Sequence, residues 1–89
     1  METYYFFIYF ENNVRSWTYG SLENCLSNAI DDFNINKEEV AVYSFDVDDD
    51  ICKNDIEDFK DIVPLGECEH IITINEDTYY NAVKILNYI

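Results

Sequence analysis

Seven consecutive residues, Tyr4 to Phe10 (YYFFIYF), carry large aromatic or aliphatic side chains. Such residues fit the pleated surface of a β-strand, and successive side chains of a strand point to opposite faces. One face then carries Tyr5, Phe7 and Tyr9, and the other carries Tyr4, Phe6, Ile8 and Phe10. A strand that is apolar on both faces must be covered on both. The cover is either helices of the same chain or another molecule, and a second copy in that place would make a homodimer. The run is far too short to cross a bilayer, which takes about 20 residues of helix.

The rest of the chain supplies candidate cover. Glu11, Asn12 and Asn13 predict a turn, since Asn tolerates left-handed dihedrals, and Val14 to Tyr19 then returns as the second strand of a hairpin. Ser21 is placed to cap a helix in which Leu22, Cys25, Leu26, Ala29, Ile30 and Phe33 recur at helical spacing. Asn34, Ile35 and Asn36 end it. Val40 to Val47 alternates, with Ala41, Tyr43, Phe45 and Val47 on one face, and reads as a third strand running into Asp48, Asp49 and Asp50. Asn54 and Glu57 form a capping-box pattern for a short helix with Ile56, Phe59, Ile62 and Val63 inward. Pro64, Leu65 and Gly66 break the chain before a short fourth strand, His70 to Ile74. Asn75 is placed to cap the last helix, with Glu76 and Asp77 favourably in its first turn and Tyr79, Ala82, Val83, Leu86 and Ile89 inward. The expected fold class is α+β. It is a single domain over residues 1–89, a small, mostly antiparallel sheet of about four strands with two to three helices layered on it, in the order β-β-α-β-α-β-α.

Charge decides which partners such a domain attracts. With 19 Asp and Glu against five Lys and Arg, the net charge is −14. This chain repels nucleic acid and anionic membranes and attracts basic surfaces. Disorder, the usual fate of a strongly charged chain, is excluded by 48% apolar and 17% aromatic residues. Three cysteines, Cys25, Cys52 and Cys68, are an odd number at irregular spacing, which predicts a reducing compartment. The sequence opens Met1, Glu2, Thr3, Tyr4, without the basic region that precedes the apolar core of a signal peptide. These features predict a soluble, cytoplasmic protein. Abundant Asn, Ile, Tyr, Phe, Asp and Glu, with scarce Ala, Gly, Pro and Arg, point to an AT-rich genome such as that of a low-GC bacterium or its phage.

The inventory for catalysis is thin. There is one His, one Arg and no Gly-rich phosphate loop. On a strand Cys68 and His70 stand about 6.7 Å apart, twice the strand rise, too far for a nucleophile–base hydrogen bond. No enzymatic activity and no cofactor are expected. Cys25, Cys52, Cys68 and His70 supply zinc-ligand types without the short Cys-x₂-Cys pairs of zinc sites. Asp46, Asp48, Asp50, Cys52, Asn54 and Glu57 match the ligand positions of a twelve-residue calcium loop. However, Ile51 stands where the loop needs Gly, and Lys53 where it usually carries an apolar residue. A calcium-binding module is therefore an alternative, and no metal site is assigned.

The concentration of acids is the stronger signal. Between residues 46 and 61, Asp46, Asp48, Asp49, Asp50, Asp55, Glu57, Asp58 and Asp61 face only Lys53 and Lys60. On an extended strand Asp46, Asp48 and Asp50 would repeat about every 6.7 Å, comparable to phosphates along a nucleic-acid strand. Asp55, Asp58 and Asp61 continue at helical spacing. Proteins that hold nucleic acid present Lys and Arg to phosphates, so this segment is the candidate surface for a basic, nucleic-acid-binding protein or complex. Trp17, Tyr19, Tyr80 and Tyr88 are candidate exposed anchors, since aromatic residues are enriched at binding hot spots.

Small size, strong acidity, AT-rich composition and the lack of catalytic motifs together resemble the anti-defence proteins of phages and mobile elements, namely anti-CRISPR inhibitors and DNA-mimic antirestriction proteins. The likeness is to a functional class in overall character and carries over no residue. It implies an inhibitor that occupies the nucleic-acid groove of a bacterial defence effector. The alternative is an immunity or antitoxin protein that neutralises a cognate basic toxin by the same electrostatics.

Overall fold

The aromatic run becomes β1, Glu2–Tyr9, in the computed structural model, which describes residues 2–48, 50–51 and 53–89 apart from the side chains of Lys53 and Asn54. Antiparallel to it runs β2, Val40–Val47, with Tyr5 opposite Ser44 and Ile8 opposite Ala41. The third strand, β3 (Glu69–Ile74), pairs antiparallel with the other side of β2, which is therefore the central strand. Val42 faces Ile72 but Tyr43 faces His70, so Ile71 is the extra residue of a bulge.

Both faces of the sheet are covered by the chain itself. Helices α1 (Leu22–Asn36) and α3 (Tyr79–Tyr88) lie on the face of Phe7, Val40, Val42 and Ile74, closing a core with Cys25, Leu26, Ala29, Ile30, Phe33 and Ala82. Helix α2 (Lys53–Ile62) and a 3₁₀ turn at Leu65–Glu67 cover the opposite face, where Phe6, Phe45, Val47 and Ile56 are buried and Phe59, Leu65 and Cys68 pack around them. Phe6 is fully buried, its ring centroid 5.8 Å from those of both Tyr43 and Phe45. Burying a Phe of this kind stabilises by roughly 1.5–3 kcal/mol. The sheet thus sits in the middle of three layers, where the sequence pattern predicts helices layered on one sheet. No described helix is long and apolar enough to cross a membrane.

Helix α1 follows its sequence signals closely. The Ser21 hydroxyl accepts from the backbone N–H of Asn24 at 3.2 Å, and Cys25, Leu26, Ala29, Ile30 and Phe33 are its buried stripe. Lys37, in the left-handed conformation at φ 58°, ends it by donating its N–H to the Phe33 carbonyl.

The expected second strand is not formed, and the sheet has three strands among the described residues. Val14 to Tyr19 makes two isolated bridges to β1, Ile8 with Arg15 and Tyr5 with Tyr19. The cause is a change of register. Tyr9 donates to the Val14 carbonyl and Ser16 to the Phe7 carbonyl, but Tyr5 exchanges both bonds with Tyr19, so one extra residue is accommodated between Ser16 and Tyr19. The Ser16 hydroxyl stands in for a ladder carbonyl and accepts the Phe7 N–H at 2.9 Å. This irregular segment still seals the outer edge of β1.

Four finer expectations are also corrected. Helix α3 starts at Tyr79, not after Asn75. The Asn75 side chain instead accepts from the N–H groups of Asp77 and Thr78 at 2.9 and 3.0 Å, holding a turn that precedes the helix. Ile62, expected inward on α2, is 76% exposed, because Lys60 takes the inward position beside Ile56, Phe59 and Val63. Ile89 is exposed at the end of α3, and Tyr19 stacks on Phe7 at 6.1 Å instead of standing free as an anchor.

Candidate partner-binding surface

The eight acids of residues 46–61 do not share one face. Asp46 is the one that remains within regular strand, opposite Thr3, whose hydroxyl donates to its carboxylate at 2.6 Å. Its neighbours Phe45 and Val47 point into the core under α2, so Asp46 projects from the other side of the sheet. The chain leaves the strand after Val47 and turns, with the Ile51 N–H donating to the Asp48 carbonyl at 3.1 Å. A ladder of phosphate-like spacing through Asp46, Asp48 and Asp50 is therefore not formed. Asp48 and Asp50 are exposed on the turn, and Asp49 lies outside the described residues.

On α2, Asp55, Asp58 and Asp61 are exposed on the outer surface, and Glu57 is half-buried at its flank. Glu57 works inward, accepting the backbone N–H of Thr18 at 2.8 Å and lying 3.4 Å from the Lys60 ammonium. Lys60 is almost fully buried. Its ammonium meets Asp61 at 3.1 Å and donates to the Ser16 carbonyl at 2.7 Å. The chain's single Arg is also turned inward. Arg15 donates from one guanidinium nitrogen to the carbonyls of Lys60 and Val63, the latter at 2.8 Å, and its guanidinium lies 5.2 Å from the centre of the Phe6 ring. These contacts satisfy carbonyls that the end of a helix leaves without partners. Arg15 and Lys60 are thus held by the protein's own backbone, and the carboxylates of Asp48, Asp50, Asp55 and Asp58 face solvent.

A cleft of about 570 Å³ runs between residues 15–17 and α2, lined by Arg15, Trp17, Glu57, Asp58, Lys60 and Asp61 among others. Trp17 forms its rim, 75% exposed, with the Lys60 ammonium 6.0 Å from its ring. At the same helix surface Ile62 is one turn from Asp58. Acids flanked by an exposed indole and an exposed aliphatic side chain make a mixed surface suited to protein contact. The sequence pattern pointed to Trp17 but not to the Arg15, Glu57 and Lys60 network. The available signal was a lone Arg and a Lys at a core position of an acidic helix.

Among the described residues no three His, Cys, Asp or Glu side chains converge. Cys25 is buried under α1 and Cys68 packs on the opposite side of the sheet. Of the calcium-loop positions, Asp46 and Glu57 are engaged by Thr3 and by Thr18 with Lys60, while Cys52 and the Asn54 side chain lie outside the described residues. Desolvation by burial pushes the Cys25 thiol up to about 12, so it is a poor nucleophile. Burial likewise raises Cys68, against the lowering influence of Arg15. His70 contacts Thr73 at 2.8 Å and the edge of Tyr43. No family model, curated protein or solved structure matches the chain.

Proposed function

We propose that the protein is an inhibitor that works by binding, not catalysis. In this reading it docks on the basic nucleic-acid-binding surface of a bacterial defence effector in the host cytoplasm. The contact is the turn and helix carrying Asp48, Asp50, Asp55 and Asp58, with Trp17 and Ile62 as flanking apolar anchors. The observation that carries this reading is the exposure of Asp48, Asp50, Asp55 and Asp58 while Arg15 and Lys60 are turned inward onto backbone carbonyls. Basic grooves built for phosphates attract such a surface and gain the counterion release that nucleic acid would otherwise supply.

The test is capture from a lysate of the native host, comparing wild type with the triple variant Asp48→Lys, Asp50→Lys and Asp58→Lys. The expected result is a nucleic-acid-binding protein retained by wild type, released by salt or by competing nucleic acid, and not retained by the variant. Retention by a variant with an unchanged circular dichroism spectrum defeats this choice of surface. Capture of a toxin nuclease encoded beside the protein would transfer the same surface to an immunity role.

A further inference from the structure

The two edges of the sheet are treated differently. The outer edge of β1 is sealed by residues 14–19, as described above. At the other edge, β3 makes backbone–backbone hydrogen bonds to β2 alone among the described residues, and the Thr73 carbonyl receives the Thr78 hydroxyl. An edge strand offers a row of N–H and C=O groups to another strand, and proteins usually blunt it with Pro, Lys or cover. β3 carries neither Pro nor Lys, and its one carboxylate is Glu69 at the first position. The bulge at Ile71 shortens the regular part of this edge, so strand pairing there needs added contact area.

Helix α3 supplies that area. It packs against β3 through the shared core and leaves Tyr80 and Tyr88 exposed by 75% and 95%, with Ile89 also exposed. Ile85, Tyr88 and Ile89 line a shallow, largely apolar groove with Lys84 and Asn87. An apolar groove with an exposed Tyr in its wall, and a second exposed Tyr on the same helix, suit protein association.

Charge selects the occupant. Residues 69–89, from the start of β3, contain three of the 19 acids, Glu69, Glu76 and Asp77, against Lys84, a net −2; residues 1–68 therefore carry −12 of the −14. Two copies meeting through any acid-rich surface set carboxylate against carboxylate. The β3 and α3 surface is where that repulsion is least. A basic partner is drawn the other way, to the acids of the turn and α2.

We infer that the protein forms a two-fold symmetric dimer in which β3 pairs antiparallel with β3 of a second copy and the outer faces of the two α3 helices complete the contact. Such an interface is self-complementary and continues the three-stranded sheet into one of six strands. It points the acidic turns and α2 helices away from the contact, one pair of docking surfaces per dimer.

Sedimentation velocity of the full chain over a range of concentrations and salt tests this. A dimer is expected that tightens with salt as the repulsion between acidic copies is screened. The double variant Tyr80→Glu, Tyr88→Glu should weaken it by about tenfold or more, the effect of like charges placed across a contact, with an unchanged circular dichroism spectrum. Trp17→Glu should leave the dimer unchanged. Amide exchange in residues 69–74 should slow with concentration in wild type and not in the double variant. Monomer at every concentration and salt overturns the proposal. So does a dimer indifferent to the two Tyr substitutions, a dimer broken by Trp17→Glu, or exchange at 69–74 that ignores concentration. Loss of a captured lysate protein in the Tyr variant, from a wild type that stays monomeric, would assign the surface to a different partner. None of these readouts depends on the lysate capture with the Asp48, Asp50 and Asp58 variant, so the two proposals fail separately.

Discussion

The buried ammonium of Lys60 donates to the backbone carbonyl of Ser16 at 2.7 Å, joining α2 to the irregular segment that seals the edge of β1. Arg15 binds in the opposite direction, from that segment to the carbonyls of Lys60 and Val63. With Glu57 accepting the Thr18 N–H, these contacts tie α2 to the segment along the edge of β1. Replacing Lys60 by Met keeps the volume and leaves the Ser16 carbonyl and the Glu57 carboxylate without their cation. An unsatisfied buried polar group costs about 1–3 kcal/mol. Urea unfolding should therefore show a lower midpoint with an unchanged slope. Adding Glu57→Gln should recover part of the loss, because the uncompensated carboxylate is gone. A midpoint equal to wild type would mean that the network positions α2 without stabilising it.

Phe6 and Trp17 separate what holds the fold from what meets a partner. Phe6 has no exposed surface and touches Tyr43, Phe45 and Arg15, so Phe6→Ala should cost about 3–5 kcal/mol, as for other buried aromatic truncations. Trp17 is three-quarters exposed, and its replacement by Ala should move stability by no more than about 0.5 kcal/mol. In the proposed complex the order reverses, and Trp17→Ala should weaken binding while the fold is untouched. Thermal melts and partner titrations of the two variants check both halves.

Stability should decline on the alkaline side, most through Tyr9 and Cys25. Burial, then the 2.5 Å hydrogen bond that the Tyr9 hydroxyl donates to Asp32, pushes the Tyr9 phenol up to about 12 from 10.0. Burial alone pushes Cys25 up to about 12 from 9.0. In each case the folded value lies above the unfolded one, so the stabilisation is complete below the unfolded value and is lost as pH rises toward about 12. Denaturant midpoints measured from pH 8 upward should fall, and Tyr9→Phe should remove the Tyr9 share of that fall while lowering neutral-pH stability by about 1 kcal/mol. Cys25 should also resist alkylation until the protein unfolds. A midpoint independent of pH, or rapid native alkylation of Cys25, contradicts the burial argument.

The fold was legible wherever one residue type did one job. The double-faced aromatic run demanded cover on both sides, and the cap and stripe of α1 placed it within a residue. Val14 to Tyr19 misled because its strand propensity is real but its register is not. The Ser16 side chain replaces a ladder carbonyl, and no propensity reports such a substitution. Ile62 misled because hydrophobicity assigned it inward, whereas the long Lys60 stem fills the same face and carries its charge to a backbone carbonyl. At the candidate surface, acid content was plain in sequence but its display was not. Asp46 and α2 fall on opposite sides of the sheet because alternation along β2 separates them, and Glu57 is drawn inward by the Thr18 N–H.

Salt should act in opposite directions on the two proposed contacts, since one joins unlike charges and the other joins copies of like charge. Between 0.1 M and 1 M ionic strength the screening length falls from about 10 Å to about 3 Å. A complex held by Asp48, Asp50, Asp55 and Asp58 against a basic groove should weaken over that range, and its salt dependence should flatten in the Asp55→Asn, Asp58→Asn variant. The dimer through β3 and α3 should tighten over the same range, and at low salt the same variant should form it more readily, because each copy then carries two fewer repelling charges. Titrating partner and self-association in parallel, at matched ionic strength, distinguishes the two. If the partner complex persists unchanged at 1 M salt, Trp17 and Ile62 carry the affinity, and the carboxylates serve to steer the approach and exclude wrong partners.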